Sequence, residues 1–177
     1  AALDPNQEAP VFKTLAVVTP LAAILLMATP AAADKPIHSA GRFGLGLGAG
    51  TISNGLSGKY YMTGATALQF NVGTFGSGEG RFKDHGGLAV SADFLLERGP
   101  LTTTEFFSLD WSFGLGAGVG VRDDNTGIAA AGVAGLEFNF TVIPIDLVLE
   151  YRPTLAIHPD VDLDLVDFSG HLRFYFM

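Results

Sequence analysis

The stretch Phe168-Ser-Gly-His-Leu-Arg-Phe-Tyr-Phe-Met177 decides how this chain is read. Phe168, Leu172, Phe174 and Phe176 alternate with Ser169, His171 and Arg173. Strand side chains point to opposite faces with period two, so one face is hydrocarbon-like and the other carries a cation and an imidazole. Such a strand suits a wall between lipid and a polar interior.

Working back from it, seven more period-two segments separated by turn residues are found, and none of comparable length has helical periodicity. They cover 41–50, 56–63, 66–74, 87–97, 106–121, 128–140 and 145–156. Leu68, Phe70 and Val72 oppose Gln69 and Asn71; Leu88, Val90, Phe94 and Leu96 oppose Ser91, Asp93 and Glu97. Phe107, Leu109, Trp111, Phe113 and Leu115 oppose Ser108, Asp110, Ser112 and glycines, and Ile145, Leu147, Leu149 and Tyr151 oppose Asp146, Glu150 and Arg152. Pro153 cannot donate to a ladder, and Leu163 and Leu165 have the wrong parity for Phe168, so a bulge or an extramembrane stretch is expected at each.

Parity alone does not say which face is inside. Three features favour apolar-out. The polar face is rich in small residues (Gly44, Gly46, Gly48, Ser112, Gly114, Gly116, Gly118), as a narrow eight-stranded interior requires. Its charges come in both signs, Arg42, Lys59, Arg152 and Arg173 against Asp93, Asp110, Glu137, Asp146 and Glu150, with His171 among them, and such charges can pair where unpaired ones are expensive. Aromatics on the apolar face (Tyr60, Phe107, Phe140, Phe176) fall near strand ends, as interfacial girdles do. The predicted fold is all-β: an eight-stranded antiparallel up-and-down transmembrane β-barrel over 41–177. A secreted soluble β-barrel that binds a ligand is the alternative.

The chain resembles the small outer-membrane barrels of the OmpA/OmpX-like class. The resemblance rests on Phe43-Gly-Leu-Gly-Leu-Gly-Ala-Gly50, Pro144-Ile-Asp-Leu-Val-Leu-Glu-Tyr-Arg152 and Gly170-His-Leu-Arg-Phe-Tyr-Phe176. The last is similar to the signal read by the barrel-assembly machinery, carried here by Gly170, Leu172, Phe174 and Phe176, although Met177 follows the final aromatic. The resemblance implies an outer-membrane location, periplasmic termini, short inner turns near 64–65, 98–104 and 141–144, and outer loops at 51–55, 75–86, 122–127 and 157–165. Only the turn at 98–104 is longer than a tight one. It further implies contact with outer-membrane lipid and lipopolysaccharide, insertion by the assembly machinery, and a monomer whose outer loops are free to meet an extracellular ligand.

Residues 11–33 hold the one long apolar run, with Lys13 before it, Pro20 within it and Ala31-Ala-Ala33 at its end, which predicts a signal peptide cleaved after Ala33. The ten residues before Val11 fit no basic n-region, so 1–10 are read as an over-extended frame and 34–40 as a periplasmic lead-in. Removing 1–33 deletes Asp4, Glu8 and Lys13 and takes the net charge from −8 to −7, which argues against nucleic-acid binding. The chain has no cysteine, so disulfides, thiolate metal sites and catalytic thiols are excluded.

Chemical motifs are sparse. Asp160, Asp162 and Asp164 offer oxygens to Ca²⁺, but the glycine and distal glutamate of a calcium loop are missing, so an acidic solvated loop is the simpler reading. His171 beside Arg173 reads as a packed lumen histidine, since no serine and carboxylate complete a triad in sequence. Ser77, His85 and His158 match no acylase or deacylase spacing. No catalytic residue, metal ligand or cofactor is expected. The function expected is a structural or surface-interacting role in the envelope, with a lipid-modifying barrel enzyme as the alternative. The repeats Phe43-Gly-Leu-Gly and Phe113-Gly-Leu-Gly, and Ala67-Leu-Gln-Phe-Asn71 and Gly135-Leu-Glu-Phe-Asn139, raise a four-strand duplication, against which stands the sameness of glycine-rich strands.

Overall fold

The computed structural model describes residues 37–50, 52–74, 87–122, 125–159 and 161–176. The expected signal peptide, the second outer loop and Asp160 therefore lie outside the described residues. Ten strands form one antiparallel sheet: β1 (Phe43–Ala49), β2 (Asn54–Thr63), β3 (Thr66–Thr74), β4 (Leu88–Thr103), β5 (Phe107–Arg122), β6 (Asn125–Phe140), β7 (Ile145–Tyr151), β8 (Thr154–His158), β9 (Asp162–Asp164) and β10 (Phe168–Phe176). The order β5-β4-β3-β2-β1-β10-β7-β6 returns on itself because β6 also pairs with β5. The fold is thus all-β, a closed eight-stranded antiparallel barrel, with no helix among the described residues. Closure removes the unpaired edges that an open sheet leaves.

The seam joins the two ends of the barrel chain, Phe43 opposite Phe176 and Ala49 opposite Gly170. The end where β1 begins and β10 finishes is the terminal end; the other is the distal end. Thr141 crosslinks two terminal-end reversals, its N–H donating to Phe106 O (3.0 Å) and its hydroxyl to Glu105 O (2.5 Å).

Alternation along each strand sorts side chains as the sequence pattern requires. Lys59, Gln69, Asp93, Glu137, Asp146, Glu150 and Arg173 are buried in the lumen, while Leu68, Phe94, Leu115, Leu147, Leu149 and Leu172 are exposed on the outer wall. Ile37, Tyr61, Ala67, Leu95, Val133 and Tyr175 form a small apolar cluster inside the barrel. Glycines leave room for these larger groups. A Cβ on Gly44 would collide with the Tyr175 ring, and one on Gly116 with the Asp93 carboxylate.

Three expectations are corrected. The reversal placed at 98–104 is mostly strand. β4 passes Gly99-Pro100-Leu101 with a two-residue slip, Arg98 opposite Trp111 but Thr102 opposite Leu109, and the chain turns only at Thr104, whose Oγ1 accepts from Phe107 N (3.1 Å). Proline is tolerated there because a bulge needs no ladder donor. The loop placed at 122–127 is largely strand, since β5 runs to Arg122 and β6 starts at Asn125, the two residues lying opposite each other.

Pro153 interrupts the ladder without bulging it. Ala134 opposes Tyr151 and Ala131 opposes Thr154 in one register, and Gly132 N donates to Pro153 O at 3.0 Å. The irregularity falls further on, between Ile128 and Ala129 on β6.

The mismatched leucines are explained by a one-residue slip. Arg152 N still donates to Asp167 O (2.8 Å) in the β7–β10 register, whereas on β8–β9 Thr154 opposes Asp164. Leu163 thus sits opposite Leu155, and both are exposed, while Phe168 opposes Tyr151. The sequence echoes pair β1 with β5 but β3 with β6, four strands apart and three, so no single four-strand unit generates both. The likeness is compositional.

Candidate functional site: the ion-paired lumen

The strands deliver their polar side chains into two connected clusters. At the terminal end, Lys59 of β2 reaches across the lumen to Glu137 of β6 (Nζ–Oε1 2.6 Å) and to Glu97 of β4 (Nζ–Oε1 2.8 Å), all three side chains being wholly buried. His38, from the segment preceding β1, enters the mouth with Nε2 3.6 Å from Glu137 Oε2 and 3.7 Å from Asp110 Oδ2. Its ring lies 4.9 Å from that of Tyr61. Asn139 Nδ2 donates to Asp110 Oδ2 (2.7 Å) and stands 3.2 Å from His38 Nε2, and Ser108 Oγ donates to Asp110 Oδ1 (3.0 Å). Burial disfavours the imidazolium of His38, but the nearby Glu137 carboxylate outweighs it and holds the His38 pKa above its ordinary value.

Deeper, Arg152, just after β7, grips Asp93 of β4 through both terminal nitrogens and also meets Glu150 (Nη1–Oε2 3.0 Å). Gln69 ties the network together. Its amide donates to Asp93 Oδ2 (3.1 Å) and Glu150 Oε1 (2.9 Å), and its carbonyl accepts from Arg173 Nη1 (2.6 Å). Arg173 in turn pairs with Asp146 (Nη2–Oδ2 3.1 Å), which also accepts from the Tyr175 hydroxyl at 2.7 Å. Each carboxylate therefore has a cation or several donors, which is what makes buried charge tolerable.

The ten lumen residues expected from the sequence all lie buried: Arg42, Lys59, Asp93, Asp110, Glu137, Asp146, Glu150, Arg152, His171 and Arg173. Arg42 sits at the terminal end, where Tyr61 N donates to its carbonyl (2.9 Å). The polar-face parity of Glu97, Gln69 and Tyr61 is legible in the sequence, but these residues and Tyr175 were not among the expected network residues, and His38 had no expected role. Of the expected assembly-signal residues, Leu172 is exposed and Gly170 and Phe176 are half-buried. Phe174 shares their parity yet is buried, opposite Leu45 and Ile145 with the Phe176 ring edge-on at 5.2 Å.

His171 has serine and carboxylate partners that the sequence hid. Its Nδ1 stands 3.0 Å from Ser57 Oγ on β2 and its Nε2 3.1 Å from Glu150 Oε2 on β7. The order of groups is that of a hydrolytic triad, but the surroundings are not. Ser57 is completely buried, a Cβ on Gly48 would strike both His171 and Ser57, and Glu150 is already held by Arg152, Gln69 and Ser169. The trio is a buried hydrogen-bonded chain that links β2, β10 and β7. Asp162, Asp164 and His158 are exposed near the distal end, and the aspartates form no ligand group among the described residues. Ser77 and His85 lie outside the described residues.

No protein-family model matches this chain, and neither a curated protein nor a solved structure is detectably similar to it.

Proposed function

We propose that this chain is an integral outer-membrane protein of the small OmpA/OmpX-like kind, a monomeric barrel with a structural or surface-interacting role in the cell envelope. One observation carries the reading: an exposed apolar wall surrounds an ion-paired interior. From Trp111 to Val121 the outward positions of β5 are Trp111, Phe113, Leu115, Ala117, Val119 and Val121, an uncharged run about as long as the 9–11 residues a tilted strand needs to cross hydrocarbon. Neighbouring strands present Val72, Val90, Phe94, Leu136, Leu147 and Leu149 on the same surface. In water such a surface far exceeds the few hundred Å² of apolar patch that a monomeric soluble protein exposes.

Polar anchors bracket the run. Arg98 lies opposite Trp111 with its guanidinium 5.7 Å from the Phe113 ring centroid, and Asp162 and Asp164 are exposed beyond the distal end. Outside the barrel the partners are lipid and lipopolysaccharide, with the assembly machinery acting during insertion; the distal loops are the surface open to an extracellular ligand. Packing around Ser57 weighs against a lipid-modifying lumen, and a lumen filled by paired side chains weighs against a wide pore.

The test is refolding into detergent micelles and, separately, into plain buffer, followed by heat-modifiability on a gel and circular dichroism. A fast-migrating, heat-sensitive band with sheet signal only in micelles is expected. A folded monomer in buffer alone would instead mark a soluble binding barrel.

A further inference from the structure

We propose that the terminal-end mouth of the lumen is a binding site for a divalent transition-metal ion, with His38, Glu97 and Glu137 as its ligands. The site does not depend on whether lipid or water surrounds the barrel, because all three groups face inward.

Geometry comes first. His38, Glu97 and Glu137 each bring one ligand atom into a set whose members lie within 4.8 Å of one another, and they are the one such group among the described residues. They come from three separate elements, the segment before β1, the body of β4 and the body of β6, so two ligands sit on rigid strands. His38 lies outside any strand and is free to close the remaining ångström or so that bond lengths of about 2.0–2.2 Å require.

A second, independent observation concerns Glu97. It is 3% exposed, and its Oε2 is buried without a hydrogen-bond partner. A carboxylate oxygen so placed loses its hydration with no return, and in a native interior it calls for an explanation such as an ion. Lys59 does not supply that partner, since its ammonium engages Oε1 of Glu97 and Oε1 of Glu137. Lys59 thereby orients both carboxylates and leaves their second oxygens turned to other partners, the role a neighbouring group plays around a metal.

Charge agrees with this. Glu97, Glu137 and Asp110 surround the one ammonium of Lys59, so carboxylates are in excess where the ion would sit. One imidazole nitrogen among oxygens selects a first-row ion such as Zn²⁺ over Ca²⁺ or Mg²⁺, which take oxygen ligands. Asp110 and Asn139 stand behind His38, and the Asn139 contact to Nε2 at 3.2 Å is the one that must give way.

The experiment is titration of the folded full-length chain with Zn²⁺ by calorimetry, and with Co²⁺ by visible absorption. One saturable equivalent is expected. His38→Ala and the near-isosteric Glu97→Gln should each weaken it roughly tenfold or more, whereas Asp162→Asn with Asp164→Asn at the distal end should leave it unchanged. In the unmodified protein, Zn²⁺ should shift the imidazole resonances of His38 and leave those of His158 and His171 in place, a readout that no folding defect can imitate. Absence of a stoichiometric site, wild-type affinity in both mouth variants, or a shift confined to His158 would overturn the proposal.

Discussion

Arg152 meets Asp93 through two parallel bonds, Nη1–Oδ2 at 2.9 Å and Nη2–Oδ1 at 2.8 Å, although β5 and β6 lie between β4, which carries Asp93, and β7, which Arg152 follows. The pair crosses the lumen and joins two sides of the barrel that share no ladder. Removing Asp93 leaves Arg152 with Glu150 alone, and removing Arg152 leaves the Asp93 carboxylate with only the Gln69 amide in a closed interior. Asp93→Ala is therefore expected to cost about 3–5 kcal/mol, while Asp93→Leu with Arg152→Met costs much less than the sum of its parts. Urea midpoints of the two singles and the double decide it; strict additivity would show that the pair is not an energetic unit.

The face assignment is tested at Leu147, an outward residue in the middle of β7 opposite Phe138 and Leu172. In micelles, Leu147→Arg should destabilise the barrel by roughly 2–4 kcal/mol, the cost of a cation near the middle of a hydrocarbon layer. A change within ~0.5 kcal/mol would indicate that Leu147 faces water.

Gly44→Ala should be costly for a different reason. The added methyl meets the Tyr175 ring, which is fully buried and held by its hydroxyl on Asp146. Overpacking of this kind costs about 1–3 kcal/mol. Shortening the ring by Tyr175→Leu in the Gly44→Ala background should recover part of the lost urea stability, and failure to do so would place the strain elsewhere.

Ser112→Ala should run the other way. Its hydroxyl is wholly buried, facing Gly135, with no hydrogen-bond partner. Deleting an unsatisfied polar atom is neutral or mildly stabilising, so the urea midpoint should hold or rise. A clear fall would mean that the hydroxyl has a partner.

Parity was readable in the sequence because it depends only on period two. Strand positions, the outward leucines and phenylalanines and the ten lumen residues follow from it directly. Register was not readable, since it depends on turn geometry and bulges. The two-residue slip after Arg98 and the one-residue slip before Asp167 both escaped, and each moved a boundary. Partnership across the lumen was hidden for a related reason: Lys59 and Glu137 are 78 residues apart, and no local pattern connects them. His38 escaped because it belongs to no strand, so alternation says nothing of where it points.

The β1–β10 seam carries a consequence in time. Phe43 cannot find Phe176 until nearly the whole chain exists, so closure is the step with the greatest sequence separation, the kind that slows folding most. Until then β1 stays an open edge whose natural complement has not yet emerged. A chain cut short before β10 is thus not a weaker barrel. It is an open sheet with two unpaired borders, ready to pair with its neighbours, and its fate is decided by association.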